Sequence, residues 1–271
     1  AGGDLSVTAV PGSTTMTVVG QSNLTAAGKV SVQTNGNIVL TETSGDLRVG
    51  LINSLAGNVT LTSPAAMVDA DNDAASDVNG NSIVLTAQAG GIGVITNHLD
   101  INSNLLKATA TSDIYITETA GDLNLDQAIS TGAGVTLNGM ARIRDADQGA
   151  GFDVIGTYAV LTSGTGVGES THALATQVHN LEGQGGTGGI WLTNSGALTV
   201  GSITTLEGLA ATGPIIVTAT SPLTILENVI SSGAIVLTAG ELPAPGDDLT
   251  VASGVLISGN SVTLNAGDNV L

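Results

Sequence analysis

Cysteine is absent from this sequence, and large aromatic side chains are almost absent. The 271 residues include one Trp, two Tyr and one Phe. Because there is no cysteine, the redox compartment cannot be read from disulfides. A broad globular core would need many large side chains, whereas here Val, Ile, Leu, Ala and Thr must fill the space. Such β-branched and small residues favour strands and a thin, layered core.

Positive charge is also scarce, and the formal net charge is −18. Nucleic-acid binding needs clustered positive charge to displace counterions, so the charge disfavours a nucleic-acid partner. Anionic membrane surfaces are disfavoured for the same reason. No apolar run approaches the roughly 18 residues of a transmembrane helix, and the first residues do not resemble a signal peptide. We therefore expect no nucleic-acid partner and no direct membrane insertion.

The sequence does contain 42% hydrophobic residues and long internal repeats. The hydrophobic fraction excludes a disordered chain, which cannot offset its ordering entropy. The segment IVLTETSGDL at 38–47 recurs as IYITETAGDL at 114–123 and as IWLTNSGAL at 190–198, at the same offset each time. The sequence therefore predicts repeats of about 76 residues at approximately 38–113, 114–189 and 190–271, the last one divergent and built of shorter coils.

Shorter units lie inside these repeats. Strands of three to five residues alternate with turns rich in Gly, Asn, Asp and Ser, and no window has a sustained helical period. Three short strands in a unit of roughly 20 to 30 residues are typical of one coil of a triangular solenoid. We therefore predict an all-β fold, a three-faced parallel β-helix of roughly 10–12 coils, running as a single continuous solenoid over residues 1–271.

Several phrases resemble the filamentous haemagglutinin type of bacterial surface protein. They are LTAQAGGIG at 85–93, DIYITET at 113–119, GGIWLTNSGAL at 188–198 and ISSGAIVLTA at 230–239. The resemblance covers nearly the whole chain. It implies a right-handed β-helical shaft without catalytic activity, in a secreted protein of the bacterial cell surface. The secretion domain that normally begins these proteins is not in this sequence.

Two acidic loops are candidates for metal binding. The first, VDADNDAASD at 68–77, contains Asp69, Asp71, Asp73 and Asp77, and the next repeat has Asp145, Asp147 and Asp153 at matching positions. Alternating carboxylates can converge on Ca²⁺, a hard cation with six to eight oxygen ligands. The glycine and the terminal glutamate of an EF-hand loop are missing. The alternative is a solvated turn in which Asp and Asn bind their own backbone.

Other polar groups give weaker signals. His98, His172 and His179 do not align between repeats, which favours turn residues over metal ligands. Arg142 and Arg144 share a strand face beside Asp145 and Asp147. Basic residues near Ca²⁺-bound carboxylates occur in β-helical polysaccharide lyases, so a lyase is the third functional hypothesis, and a surface ion pair is the alternative.

Strand parity predicts which side chains face outward. If Ile114 and Ile116 face the core, one outward column is nearly all threonine and its neighbour is bulky and apolar. The candidate ligand or assembly face consists of Val84, Tyr115, Trp191, Ile216 and Val236, and the same parity turns Val160 toward solvent. An exposed apolar stripe normally marks an interface. The two aromatic side chains could also stack on sugars, which makes a carbohydrate-binding β-helix the second hypothesis, and inverted parity would turn all these residues inward.

The leading hypothesis is a structural or adhesive shaft with no catalysis. Neither end of the sequence resembles a cap, and the unpaired edges of a solenoid tend to associate. We therefore expect the partners to be further repeats of the same protein or identical subunits, joined head to tail and laterally. Host or environmental glycans are further candidate partners.

Overall fold

The computed structural model describes residues 3–9, 16–24, 27–149, 151–243 and 245–271. The regular structure within these ranges consists of strands, and none of it is helical, so no helix there could cross a membrane. The strands are β1 (Leu5–Thr8), β2 (Val18–Ser22), β3 (Val30–Thr34), β4 (Ile38–Glu42), β5 (Leu47–Ser54), β6 (Val59–Ser63), β7 (Met67–Asp69), β8 (Val78–Ala87), β9 (Leu99–Ala110), β10 (Ile114–Glu118), β11 (Leu123–Ser130), β12 (Val135–Gly139), β13 (Arg142–Asp145), β14 (Val154–Ile155), β15 (Tyr158–Ser163), β16 (Gly166–Val167), β17 (Leu174–Gln177), β18 (Asn180–Gly185), β19 (Ile190–Asn194), β20 (Leu198–Val200), β21 (Leu209–Ala211), β22 (Ile215–Ala219), β23 (Leu223–Ile225), β24 (Val229–Ser231), β25 (Ala234–Ala239), β26 (Leu249–Val251), β27 (Ile257–Ser258) and β28 (Ser261–Asn265).

The chain divides into two compact units, Ala1–Thr136 and Leu137–Leu271. The strands within each unit pair in parallel with strands of the next coil, and the chain makes about 11 turns. The predicted all-β parallel solenoid is therefore confirmed. A parallel pair cannot be joined by a tight hairpin, so the chain must travel around the coil before it returns to the same face.

Three stacks of strands make up the first unit. In the stack that contains Ile38, the register partners on successive coils are Val59, Ile83 and Leu106. A second stack joins β5, β7 and the bridge residue Ile92. The third joins β1, β3 and the end of β5 to the first halves of β8 and β9. Each coil therefore contributes three short strand segments, as the sequence predicts.

Alternating side chains of the first unit point into a narrow core. Ile38, Val59, Ile83 and Leu106 are completely buried, and each occupies the same register position one coil further along. Because consecutive strands are about 4.8 Å apart, similar branched side chains stack in van der Waals contact along the core. Valine, isoleucine and leucine are sufficient here because the space between the faces is thin.

The second unit is built in the same way. The register partners of Ile190 on successive coils are Ile215, Ile235 and Val262. Parallel stacks also join β20, β23 and β26, and β21, β24 and β27. The coils differ in length because turns of different lengths are accommodated outside the ladders, which leaves the register unchanged.

The long sequence repeat is not a whole number of coils. Within the first unit, three coils lead from Ile38 to Leu106, and Ile114 follows only after the end of β9 and a further turn. Ile114 bridges to Ile92 and not to the stack of Ile38. Equivalent segments of successive repeats therefore lie on different faces of the coil. This corrects the expectation that their outward side chains form one column.

Candidate metal centre

Three carboxylates converge in the second unit. Asp145 ends β13, Asp147 lies in the following turn and Asp153 precedes β14. One carboxylate oxygen from each of the three lies within 4.8 Å of those from the other two. Asp145 and Asp153 are buried, whereas Asp147 is exposed to solvent. Among the residues that the structure describes, this is the one acidic group with such close spacing.

Backbone N–H groups hold two of these side chains in position. The N–H of Gln148 donates to Asp145 Oδ1 at 2.7 Å, and the N–H of Ala175 donates to Asp153 Oδ2 at 2.6 Å. Gln148 has a φ of 61°, which turns the chain back after Asp147. The turn therefore uses one oxygen of Asp145, as Asp side chains commonly do in tight turns.

The remaining oxygen, Asp145 Oδ2, is buried and has no hydrogen-bond partner. Leaving a buried charged acceptor unsatisfied is costly, so a group of this kind calls for a cation or a proton. Burial raises the pKa of Asp145, and the adjacent Asp147 raises it further. Burial also raises the pKa of Asp153 to about 7. The cluster offers closely spaced oxygen ligands, one of them unsatisfied, so it can hold a metal ion.

The first unit contains the same turn one repeat earlier. The N–H groups of Asp71 and Asn72 donate to Asp69 Oδ1 at 2.7 and 3.0 Å, and Asn72 has a φ of 52°. Asp69 Oδ2 is buried without a partner, like its counterpart in the second unit. Asp77 Oδ2 accepts the N–H of Asp100 at 2.9 Å. The turns that follow Asp69 and Asp145 therefore share the aspartate cap, the positive φ at the fourth residue and the unsatisfied oxygen.

The four predicted ligands of the first loop do not form an equally close cluster. Asp69 and Asp77 are buried, but Asp71 and Asp73 are exposed, and the ammonium of Lys29 donates to Asp71 Oδ1. Burial raises the pKa of Asp77 to about 8, with further contributions from Asp69 and Asp100. Asp73 Oδ1 accepts the N–H of Ala75 at 2.7 Å, which is the solvated-turn arrangement.

Asp100 is a buried carboxylate of this region that sequence reasoning missed. Burial raises its pKa, and the charge of Asp69 adds to the shift. It belongs to β9, one coil beyond the loop, and its N–H donates to Asp77. No spacing rule in the sequence connects the two residues, because their contact depends on the length of the intervening coil.

His98 lies near Tyr115 in the first unit. Its Nδ1 is 3.0 Å from the hydroxyl oxygen of Thr117, and its ring centroid is 5.5 Å from that of Tyr115. The side chain is half-buried rather than exposed, and burial lowers its pKa. The imidazole of His98 is therefore held between Thr117 and Tyr115, and burial favours its neutral form.

Arg142 and Arg144 do lie on one face of β13, and both contact Glu169. The Glu169 Oε1 atom is 2.8 Å from Arg144 Nη1 and 3.7 Å from Arg142 Nε. Arg142 Nη1 also donates to the carbonyl of Gly168 at 2.8 Å. These contacts match the ion-pair alternative, with Glu169 as the partner that the sequence did not reveal. The lyase hypothesis stays a prediction.

The predicted outward residues belong to separate ladders. Trp191, Ile216 and Val236 are register neighbours in the second unit, and all three are half-buried. Val84 pairs with Thr60 and Lys107 in the first unit. Tyr115 lies on β10, whose register partners are in the first half of β9, so it is not in the ladder of Val84.

Val160 was predicted to face solvent, and this prediction is wrong: only 6% of the residue is exposed. Its register partner is Glu182, which is fully buried. The N–H groups of Ile203 and Thr204 donate to Glu182 Oε1 at 2.6 and 3.0 Å. The loop that contains Ile203 and Thr204 therefore covers this part of the outer face. Strand parity alone cannot predict that a loop buries an outward-facing residue.

Taken together, the fold and the acidic turns define an acidic parallel β-solenoid with a carboxylate cluster that can hold a metal ion. Comparisons with protein-family models, with curated proteins and with solved structures find no match to this chain.

Proposed function

We propose that this chain is a structural shaft segment of a bacterial surface protein of the filamentous haemagglutinin type, outside the cell and without catalysis. One observation carries the proposal: strands of successive coils pair in register, and the same core positions recur from coil to coil. Each coil is stabilised by its neighbours, so further coils add length without altering the cross-section.

We further propose that the ion of the Asp145 cluster is calcium. Calcium prefers carboxylate and backbone oxygens and tolerates irregular geometry. Asp145, Asp147 and Asp153 offer only oxygen, and one buried oxygen of Asp145 has no other partner. An ion there would tie the turn after β13 to the start of β14 and would so stiffen one corner of the solenoid.

The partners that fit this function are further repeats of the same protein or identical subunits. Trp191, Ile216 and Val236 form an outward apolar ladder in the second unit, which supports lateral association. Trp191 Nε1 donates to the carbonyl of Gly188 at 2.9 Å, so its polar atom is already satisfied and its ring can be buried against a neighbour.

Two binding and activity assays test the shaft directly. A glycan array should show no retention of the chain, and acidic polysaccharides incubated with it should release no unsaturated sugars. Specific retention on neutral or acidic glycans would favour the carbohydrate-binding hypothesis instead. Unsaturated products would favour the lyase.

Calcium is tested by thermal unfolding of the whole chain with EDTA and with added Ca²⁺. We expect EDTA to lower Tm and Ca²⁺ to restore it, because an ion that binds only the folded state stabilises that state. An equal concentration of Mg²⁺ should restore less, since Mg²⁺ requires near-ideal octahedral geometry. A Tm that does not respond to EDTA would contradict the calcium proposal and would favour the alternative, a solvated turn without a bound ion.

A further inference from the structure

The two acidic loops begin with the same aspartate-capped turn but differ in the charge beside it. In both, the first aspartate caps the turn through Oδ1, and its Oδ2 is buried and unpartnered. Asp69 is 6% exposed and Asp145 is 9% exposed. Each unpartnered oxygen calls for a cation or a proton. The exposed aspartate of the same turn, Asp71 or Asp147, can pair either with an external cation or with a basic side chain.

Lys29 provides such a side chain in the first unit. Its ammonium donates to Asp71 Oδ1, and Asp4 and Asp73 act on it at longer range. The hydrogen bond to Asp71 raises the pKa of Lys29, so the amine is charged at neutral pH. Its backbone is fixed as well, because its N–H donates to Asp4 Oδ1 at 3.0 Å.

Gly50 leaves room for the lysine stem. A Cβ atom at Gly50 would lie 3.2 Å from Lys29 Cδ and 2.5 Å from Ser31 Oγ. The stem of Lys29 therefore passes over a residue without a side chain on its way to Asp71. Because its stem is held along this path, the ammonium of Lys29 is positioned beside one particular carboxylate, that of Asp71.

We propose that Lys29 is the built-in counter-ion of the first acidic loop, so that the chain binds one divalent cation, at the second loop, and not two. This inference rests on the proposed function, because it takes the second loop to be the calcium site. Asp71 is the counterpart of Asp147, which is one of the three converging carboxylates of the second loop.

The geometry of the two loops agrees with this division. With Asp71 bonded to Lys29, the first loop does not reach the spacing of the Asp145 cluster. An ammonium supplies one charge and three donors, whereas calcium requires six to eight oxygens arranged around it. When Lys29 binds Asp71, the first loop therefore lacks a ligand that the second loop has.

The test is a calorimetric titration of the intact, metal-free chain with CaCl₂. We expect one bound Ca²⁺ in the wild type and two in Lys29→Met, which keeps the aliphatic stem and removes the charge. Lys107→Met is the matched control: Lys107 pairs with Asp126 at 3.3 Å, a residue of neither loop, and the number of bound Ca²⁺ ions should stay at one. Circular dichroism verifies that each variant is folded, and Lys29→Gln provides a second neutral substitution.

Asp145→Asn assigns the sites. We expect it to reduce the count to zero in the wild-type background and to one in the Lys29→Met background. One site in both wild type and Lys29→Met would overturn the role of Lys29 and leave the calcium proposal intact. Two sites in the wild type would also overturn it. No binding at the second loop in any variant would overturn the proposed calcium site itself.

Discussion

Glu118 and Ser103 form a buried hydrogen-bonded pair at one corner of the first unit. The N–H and the hydroxyl of Ser103 both donate to Glu118 Oε2, at 3.0 and 3.1 Å. The N–H of Ala120 donates to Oε1 at 3.2 Å. Glu118 is fully buried, and burial raises its pKa to about 7 despite these donors. Below about pH 7 the folded protein therefore favours the neutral acid at this position.

This shift makes stability depend on pH in a defined direction. The folded-state pKa lies above the ordinary value of 4.5, so the folded protein binds the proton more tightly than the unfolded chain does. Stability due to Glu118 is complete below pH 4.5 and is lost as pH rises to about 7. At about 1.4 kcal/mol per pKa unit, the loss is on the order of 3 kcal/mol.

Glu118→Gln should remove that dependence. We expect the variant to gain stability relative to the wild type as pH rises from 4.5 to 7, measured by urea unfolding at each pH. Asn194 is the counterpart of Glu118 one repeat later, and its amide oxygen accepts the hydroxyl of Thr176 and the N–H of Val178, so a neutral amide fits such a corner. Glu241→Gln, at an exposed position, is the control. Parallel pH curves for wild type and Glu118→Gln would contradict this account.

Asp145→Asn should have opposite effects with and without calcium. Asparagine keeps an acceptor for the Gln148 N–H but removes the charge of a buried group whose Oδ2 has no partner. We expect the metal-free variant to be at least as stable as the wild type, with a gain of about 1–2 kcal/mol, and its Tm to be insensitive to EDTA. Asp46→Asn, at an exposed aspartate that also accepts one backbone N–H, should retain the wild-type EDTA response. An unchanged EDTA response in Asp145→Asn would place the ion elsewhere.

Gly189 and Gly196 should differ sharply in their tolerance of alanine. Both have positive φ, 77° and 93°, so each substitution carries the cost of a left-handed backbone, roughly 1–2 kcal/mol. At Gly189 a Cβ would also collide with the carbonyl oxygen of Pro214, whereas nothing lies within 4 Å at Gly196. We expect Gly189→Ala to cost at least about 3 kcal/mol in urea unfolding, because backbone must move. Equal losses of unfolding free energy in the two variants would show that the close approach of Gly189 to the carbonyl of Pro214 is not maintained in solution.

Leu85 and Val84 are adjacent on β8 but face opposite ways. Leu85 is completely buried between Leu61 and Ala108 of the neighbouring coils, whereas Val84 is half-buried on the outer face. We expect Leu85→Ala to reduce the free energy of unfolding by about 2–5 kcal/mol and Val84→Ala by less than about 1 kcal/mol. Denaturant unfolding measures both. Similar losses would mean that the two faces of this strand are equally packed.

Trp191→Asp should weaken lateral association of the chain. Its neighbours in the ladder are Ile216 and Val236, and burying their apolar area against a second copy contributes about 25 cal/mol per Å². The net charge of −18 opposes association, so salt should promote it by screening. We expect light scattering to show that assemblies of the wild-type chain grow as the salt concentration rises. Electron microscopy should show that Trp191→Asp reduces side-by-side association more than end-to-end association. A wild type that stays monomeric at all salt concentrations would reduce this segment to a passive spacer.

The local sequence was sufficient to predict the strands and most of the buried core residues. A strand alternates faces with a period of two, so Ile83 and Leu85 could be assigned inward and Val84 outward from the pattern alone. The same rule failed for Val160, because the loop that bonds to Glu182 covers the outer face there. Burial by a loop that is distant in sequence is a tertiary effect, and the two-residue period of a strand contains no information about it.

Side-chain contacts between neighbouring coils could not be predicted from the local sequence pattern. The constant offset between repeats suggested that equivalent segments share a face, but the coils between Ile38 and Leu106 place Ile114 one strand segment further around. The pairing of Asp100 with Asp77 and that of Lys29 with Asp71 depend on the same coil lengths. A small change in the length of a turn changes which side chains meet.

The sequence by itself determined that this chain forms stacked parallel coils with a thin aliphatic core and two acidic turns. Those features follow from residue type, from a two-residue period and from turn chemistry, all of which act over a short stretch of chain. Only the tertiary structure decided that Asp145, Asp147 and Asp153 converge while Asp71 bonds to Lys29. The reason is that the convergence of charges depends on how neighbouring coils are stacked, and hydrogen bonding between strands that are distant in sequence fixes that stacking.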